Sequence, residues 1–263
     1  MEQTRRTFLQ IAGLSALGFA AHSALDAFAV AGPSDYIVDP KALKGKRWAM
    51  VVDVKKFIQS GPDALKRCVE ACHSTHNVPD LGNPKEEVKW LWTEPLEHAF
   101  PEQSSEYLHD FTKEGLKGLP VLVLCNHCDN PPCVRVCPTK ATFKREDGLV
   151  MMDMHRCIGC RYCMAGCPFG ARSLNWRDPR QFIKTQNPDY PMRTRGVVEK
   201  CTFCEERLAI GLQPACVEAC KNKELVFGDM GDPNSQVRQL LKTNFAVRRK
   251  PQLGTQPQVY YIV

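Results

Sequence analysis

Cys157-Ile-Gly-Cys160-Arg-Tyr-Cys163-Met-Ala-Gly-Cys167-Pro168 decides how this sequence is read. Three cysteines at x2 spacing followed by C-x3-C-P is the bacterial ferredoxin run. The spacing has a chemical reason. Three thiolates on a tight loop can cover one face of a [4Fe–4S] cubane while loop N–H groups point at its sulfides. The fourth cysteine, just before a proline, leaves that loop and ligates the other cluster of a pair.

Working outward, the pattern returns. Cys125-x2-Cys128-x4-Cys133-x3-Cys137-Pro138 is the same run with two residues added. Cys201-x2-Cys204-x11-Cys216-x3-Cys220 is a third group with a longer insert, and Cys68-x3-Cys72 is a truncated fourth. Together they use all 14 cysteines of the 263 residues. Zinc suits paired C-x2-C groups, but it explains neither the third cysteine two residues later nor the C-P ending. A disulfide scaffold competes in any exported chain, and the same spacing argues against it.

Crossed ligation then assigns the donors. The two groups ending in Cys-Pro pair: Cys125, Cys128, Cys133 and Cys167 hold one [4Fe–4S] cluster, and Cys157, Cys160, Cys163 and Cys137 a second. The two outer groups pair by the same logic, so Cys201, Cys204, Cys216 and Cys72 hold a third. A fourth would need Cys220 plus three donors from the first group. At ferredoxin spacing before Cys68 stand Leu65 and Pro62, and neither binds iron. Cys68 and Cys220 are left over. A disulfide, two buried free thiols, and a cluster completed by His73 or His76 all stay open.

The N-terminus reads Thr4-Arg5-Arg6-Thr7-Phe8-Leu9-Gln10, then a small-residue apolar run from Ile11 to about Ala21, then Ala29-Val30-Ala31. Twin arginines, an apolar stretch and an A-x-A site describe a twin-arginine export signal over residues 1–31. That route carries folded proteins, which suits clusters assembled before export. No later stretch approaches the roughly 18 apolar residues of a membrane span. Residues 32–263 therefore form the expected periplasmic part, with an inner two-cluster module at about 121–197 and an outer one at about 41–120 plus 198–263.

Net charge is +6, and the leader's charges cancel, so the mature chain keeps it. Oxidised cubanes with four thiolates carry roughly −2 each, which brings a three-cluster protein near neutrality without a nucleic-acid partner. The expected fold class is α+β: tandem bacterial-ferredoxin-like modules, loop-rich with short strands and helices. Strands are expected at Lys46–Val54, Pro120–Cys125 and the tail from Val259. A helix over Asp63–Thr75 would put Cys68 and Cys72 one turn apart. A hairpin turn falls at Glu146–Val150 and a short helix at Pro233–Asn244. Trp90, Trp92, Phe100, Tyr107 and Phe111 suggest a packing cluster or a docking face, and Asn175–Arg195 reads as a surface loop. No G-x-G-x-x-G, G-x-S-x-G or H-E-x-x-H is present, and no catalytic residue stands out.

The cysteine runs with their flanks carry a family resemblance. The stretches are Cys133 to Gly148, Cys157 to Arg172, Glu199 to Cys204 and Pro214 to Cys220. In these the chain resembles the ferredoxin-type iron–sulfur subunits of respiratory membrane oxidoreductases, such as polysulfide, tetrathionate and nitrite reductases and periplasmic hydrogenases. Ala71-Cys72-His73-Ser74-Thr75-His76-Asn77-Val78-Pro79 and Lys89-Trp90-Leu91-Trp92 are similar to the DsrO family of the Dsr transmembrane complex. The resemblance implies an electron-transfer subunit rather than an enzyme in itself. It also implies a polytopic quinone-interacting membrane partner, a periplasmic multihaem cytochrome, and a role in sulfur or sulfite metabolism. The chain departs from many relatives in the first group, where Phe57 stands near a missing cysteine. Two other readings remain: the subunit of a molybdenum reductase of polysulfide or tetrathionate type, and a scaffold whose clusters only hold the fold.

Overall fold

Five consecutive buried residues, Trp48 to Val52, start the fold. They lie in strand β1 (Trp48–Asp53), and successive side chains of a strand point to opposite faces. Trp48, Met50 and Val52 join the main core, while Ala49 and Val51 join a smaller one on the other face. A strand covered on both faces reads as one apolar run.

The computed structural model describes residues 39–103 and 114–263. The expected export signal, and Tyr107 and Phe111, lie outside these residues. Residues 41–263 form one compact unit. β1 is central in a four-stranded sheet, parallel to β10 (Val259–Ile262) and antiparallel to β8 (Leu225–Asp229), with β9 (Ala246–Val247) at the edge. Helix α8 (Gln236–Thr243) places Val237, Leu240 and Leu241 against the face of Ala49, Val51, Val226 and Ile262. The opposite face carries the main core, which includes Cys68, Cys72, Cys125, Cys128, Cys201, Cys216 and Cys220.

β1 runs directly into α1 (Val54–Ser60), capped by the Asp53 carboxylate, which accepts from Lys56 N. Gly61 then takes φ 76°, a left-handed conformation that suits glycine. Pro62 starts α2 (Pro62–Thr75), whose buried side is Ala64, Leu65, Cys68 and Cys72. β2 (Leu91–Pro95) pairs antiparallel with β3 (Pro120–Leu124), which delivers Cys125. α3 (Leu96–Ala99) packs beside this pair.

The middle of the chain has almost no apolar core of its own. Its elements are two-stranded pairs, β4 (Thr142–Lys144) with β5 (Val150–Met152) and β6 (Ser173–Leu174) with β7 (Val198–Glu199). Its helices are single turns: α4 (Pro132–Arg135) and α5 (Tyr162–Ala165), which pack on each other. Two more single turns, α6 (Glu205–Leu208) and α7 (Ala215–Glu218), follow in the outer part. The architecture is α+β, loop-rich, with short strands and helices. The strands, the turn and both helices expected from sequence are present. Helix α1 is an addition: its polar and exposed positions hid it behind the preceding strand.

The stretch 175–195 is largely the surface loop expected, with a few side chains turned inward. Asn175, Tyr190 and Arg193 are buried. Arg193 forms an ion pair with Glu199 at 2.7 Å, both side chains at most 1% exposed. Its terminal nitrogens also donate to the carbonyls of His76 and Asn77. Trp90 Nε1 and Asn175 Nδ2 also donate to Glu199. A buried charge needs such complete partnership, and segments from residue 76 to residue 199 are fixed by it. Trp90, Trp92 and Phe100 are packing residues, fully or nearly fully buried, with Trp90 stacked on His76 at 4.6 Å. No helix among the described residues is long and apolar enough to cross a membrane.

Candidate metal centres

The first centre is visible as a cavity. Cys125, Cys128, Cys133 and Cys167 line it together with Pro131, Pro132, Val150, Phe169 and Arg172. Three of these sulfurs come from one ferredoxin run and one from the other. β3 delivers Cys125, and Pro131 sets the extended backbone from which α4 carries Cys133. Burial pushes the Cys128 thiol up to about 12, with further repulsion from Cys125, Cys167 and Cys133. Burial likewise raises Cys167, with Cys125 and Cys133 adding to it. Converging buried thiols resist ionisation in each other's company. Iron ions reverse that balance, because a coordinated thiol gives up its proton. The donor set fits a cubane.

Arg172 stands over this cavity. Its Nη2 donates to Cys133 Sγ at 3.2 Å and its Nη1 to Thr142 Oγ1 at 3.0 Å. Desolvation works against its charge, but the sulfurs of Cys133, Cys125, Cys163 and Cys167 outweigh this and raise its pKa. A fixed cation beside four thiolates and a cubane is a lever on potential.

In the second group, Cys163 sits in a buried cluster with Cys133, Leu174 and Val198, and part-buried Cys157 packs against it. Val198 N donates to Cys157 Sγ at 3.4 Å. Gly159 has φ 68°, and a Cβ there would lie 2.3 Å from the Gly196 carbonyl oxygen, so the loop needs glycine for close approach. Cys137 follows α4, which packs on the α5 turn carrying Cys163. Burial opposes the Cys137 thiolate, yet donation from the Thr142 N–H, the Thr139 hydroxyl and nearby N–H groups holds its pKa below the ordinary thiol value. Cys137, Cys157 and Cys160 are only part-buried.

The third group closes across the chain. Burial raises Cys72, and the next contributions come from Cys201, Cys216 and Cys204. These are the three donors that crossed pairing gives it. All four are buried. Phe203 N donates to Cys201 Sγ and Ala215 N to Cys204 Sγ, both at 3.4 Å. Such N–H···S bonds stabilise thiolate ligands.

Two residues near these groups had no signal strong enough to single them out. Arg172 sits five positions after Cys167, in a flank that looks merely basic. His127 lies between Cys125 and Cys128 and is fully buried. Its Nδ1 accepts from Val150 N at 3.0 Å, so its Nε2 carries the proton donated to the Cys201 carbonyl at 3.0 Å. Burial lowers its pKa well below the usual value, with Lys200 next, which keeps it neutral. It stacks on Phe203 at 3.8 Å and so joins the Cys125 loop to the Cys201 loop.

Cys68 and Cys220 are also together, with sulfurs 2.7 Å apart. Neither histidine turns toward them. His73 Nε2 bonds the Leu91 carbonyl, and His76 bonds the Cys72 carbonyl and Glu206. Phe57 and Leu65 pack in the same core.

Comparison with known proteins places these observations. Two models described as 4Fe–4S dicluster domain match, over residues 120–184 and 156–225. The chain is 41% identical to the Hdr-like menaquinol oxidoreductase iron–sulfur subunit 1 of Archaeoglobus fulgidus, over 98% of this chain and 97% of that one. It is 38% identical to the iron–sulfur cluster-binding subunit of menaquinone reductase from Nitratidesulfovibrio vulgaris, over 82% and 88%. It is 33% identical to a tetrathionate reductase subunit of Salmonella typhimurium, over 100% and 89%.

Proposed function

The chain belongs to the family of 4Fe–4S dicluster iron–sulfur subunits of oxidoreductases, and from that membership we propose that it is an exported three-cubane electron carrier. Its ligand sets are Cys125, Cys128, Cys133 and Cys167; Cys157, Cys160, Cys163 and Cys137; and Cys201, Cys204, Cys216 and Cys72. When bound, the cubanes supply one-electron transfer at potentials set by burial, N–H···S bonds and local charge. The chain's own residues hold the sulfurs, exclude water from the outer group, and set charge through Arg172. One observation carries the reading: a single cavity lined by three cysteines of one run and the fourth of the next. Crossed ligation predicts that combination, and a zinc site or disulfide scaffold does not.

The carrier works in the periplasm, after twin-arginine export, and meets the membrane only through a polytopic quinone-interacting subunit. The A. fulgidus and N. vulgaris relatives, whose names specify menaquinol and menaquinone, support a quinone-pool connection. A periplasmic multihaem cytochrome is the other redox partner, in a DsrO-type role in sulfur or sulfite metabolism. The inner module spans about 121–197 and the outer one about 41–120 plus 198–263. A second reading draws on the whole-length similarity to the S. typhimurium tetrathionate reductase protein: the same carrier serving a molybdenum-dependent catalytic subunit.

Iron and acid-labile sulfide per chain test the count. About 12 of each is expected, and about 16 overturns it. EPR of the reduced protein is expected to give interacting [4Fe–4S]⁺ signals, whereas redox silence would leave only a structural scaffold. Subunits co-purified from native membranes separate the two partner readings: a multihaem cytochrome supports the first, a molybdenum subunit the second.

A further inference from the structure

Three cubanes leave Cys68 and Cys220 unused, yet the fold brings these two together across 152 positions of chain. Cys68 lies on α2, one turn before Cys72, and Cys220 lies one turn after Cys216. The two helices pack directly on each other. A separation of 2.7 Å is closer than non-bonded sulfurs rest and longer than the roughly 2.05 Å of an S–S bond. Both residues sit in the main core. The contact with Cys220, then burial, pushes the Cys68 thiol far up, which disfavours a lone buried thiolate at that position. Among the described residues neither nearby imidazole serves this pair: His73 Nε2 bonds the Leu91 carbonyl, and His76 bonds the Cys72 carbonyl and Glu206.

We propose that Cys68 and Cys220 form a disulfide in the exported protein, a staple that ties the Cys72 helix to the Cys216 helix. The bond forms by exchange with a protein disulfide oxidant. Cys220, 8% exposed against 0% for Cys68, attacks one sulfur of the oxidant's disulfide and forms a mixed disulfide. Cys68 then attacks Cys220 Sγ and displaces the oxidant's second thiolate. The pair loses two electrons and two protons, and the oxidant gains both as a dithiol. The order of events follows from export in the folded state: cubane insertion and folding come first, and stapling follows after export through Cys220, the less buried thiol. The two ends of the chain that supply the outer donors are then held covalently.

The inference rests on the exported location proposed above. Cells are broken in excess N-ethylmaleimide, and the holo-protein is purified, stripped of iron under denaturing conditions and alkylated. Trypsin with a glutamate-specific protease separates Cys68 from Cys72 at Glu70 and Cys216 from Cys220 at Glu218. The expected product is Cys68-Val-Glu70 joined to Ala219-Cys220-Lys221, with every other cysteine alkylated. Alkylation of both Cys68 and Cys220 in protein from the periplasmic face overturns the staple. Protease accessibility on spheroplasts reads location separately, and a chain sheltered inside the cell sinks the export reading. The purified holo-protein is in that case incubated with oxidised dithiothreitol: linkage of the two peptides supports the pair, and failure to link overturns it.

Discussion

The inner and outer cysteine groups solve one problem in two ways. The inner donors lie between Cys125 and Cys167, on loops and single-turn helices. Four of them, Cys137, Cys157, Cys160 and Cys167, are only part-buried. The outer group takes Cys72 from a helix 129 positions before Cys201, and every donor is buried. Where sulfurs are local, the cluster itself can organise the loop. Where they are distant, a sheet and two packed helices must first bring the chain ends together. The two groups also differ in exposure: half of the inner donors are part-buried, and the outer donors are all enclosed.

The most severe way to break this contrast is Cys72→Ala. It removes the one outer donor supplied from afar, and iron is expected to fall from about 12 to about 8 per chain. The inner spectroscopic signals should persist. Their loss would mean that the two halves are not independently organised.

Glu199→Gln strikes the junction instead. It leaves Arg193 charged and buried without its carboxylate, a change of about 3–5 kcal/mol when a buried pair is broken. Chemical denaturation followed by circular dichroism reads this. A cost below about 1 kcal/mol, the scale of an exposed pair, would show that the two halves do not depend on that network.

Arg172→Met sharpens the comparison electrically. Removing a positive charge beside Cys133 disfavours the extra electron of the reduced state, so one inner potential should fall by about 60 mV, a tenfold change in a one-electron equilibrium. Redox titration by EPR checks it, and the outer potential should stay in place.

Asp53→Ala is the mildest. It deletes the α1 cap and should cost about 1 kcal/mol, with iron content unchanged. Iron loss there would extend the outer site's dependence to the start of the chain.

Much of the site was legible because ligand spacing is a local property. The x2 steps and the Cys-Pro endings of the inner groups state their geometry in the sequence, and β1, β3, α2, α8 and β10 followed from plain apolar or helical patterns. The burial of Arg193, Asn175 and Tyr190 was not legible. A stretch with three prolines and several basic residues looks solvated until its partners are known: Glu199 just beyond it, and the carbonyls of His76 and Asn77 from more than a hundred positions earlier. Arg172 and His127 were missed for the same reason, since neither differs from an ordinary flank until Cys133, Val150 and Cys201 surround it.

The sequence by itself determined the chemistry: eight of the 14 cysteines, in two ferredoxin-type runs, specify iron–sulfur binding, since residue type and short-range spacing set which metal group a loop can wrap. Crossed pairing already put Cys72 with Cys201, Cys204 and Cys216 on paper; the tertiary structure supplied what draws such distant segments together, β1 lying between β8 and β10 and α2 packed on α7, and it set Cys68 beside Cys220. Spacing named the partners, but the contacts across more than a hundred residues are held by burying two faces of one sheet.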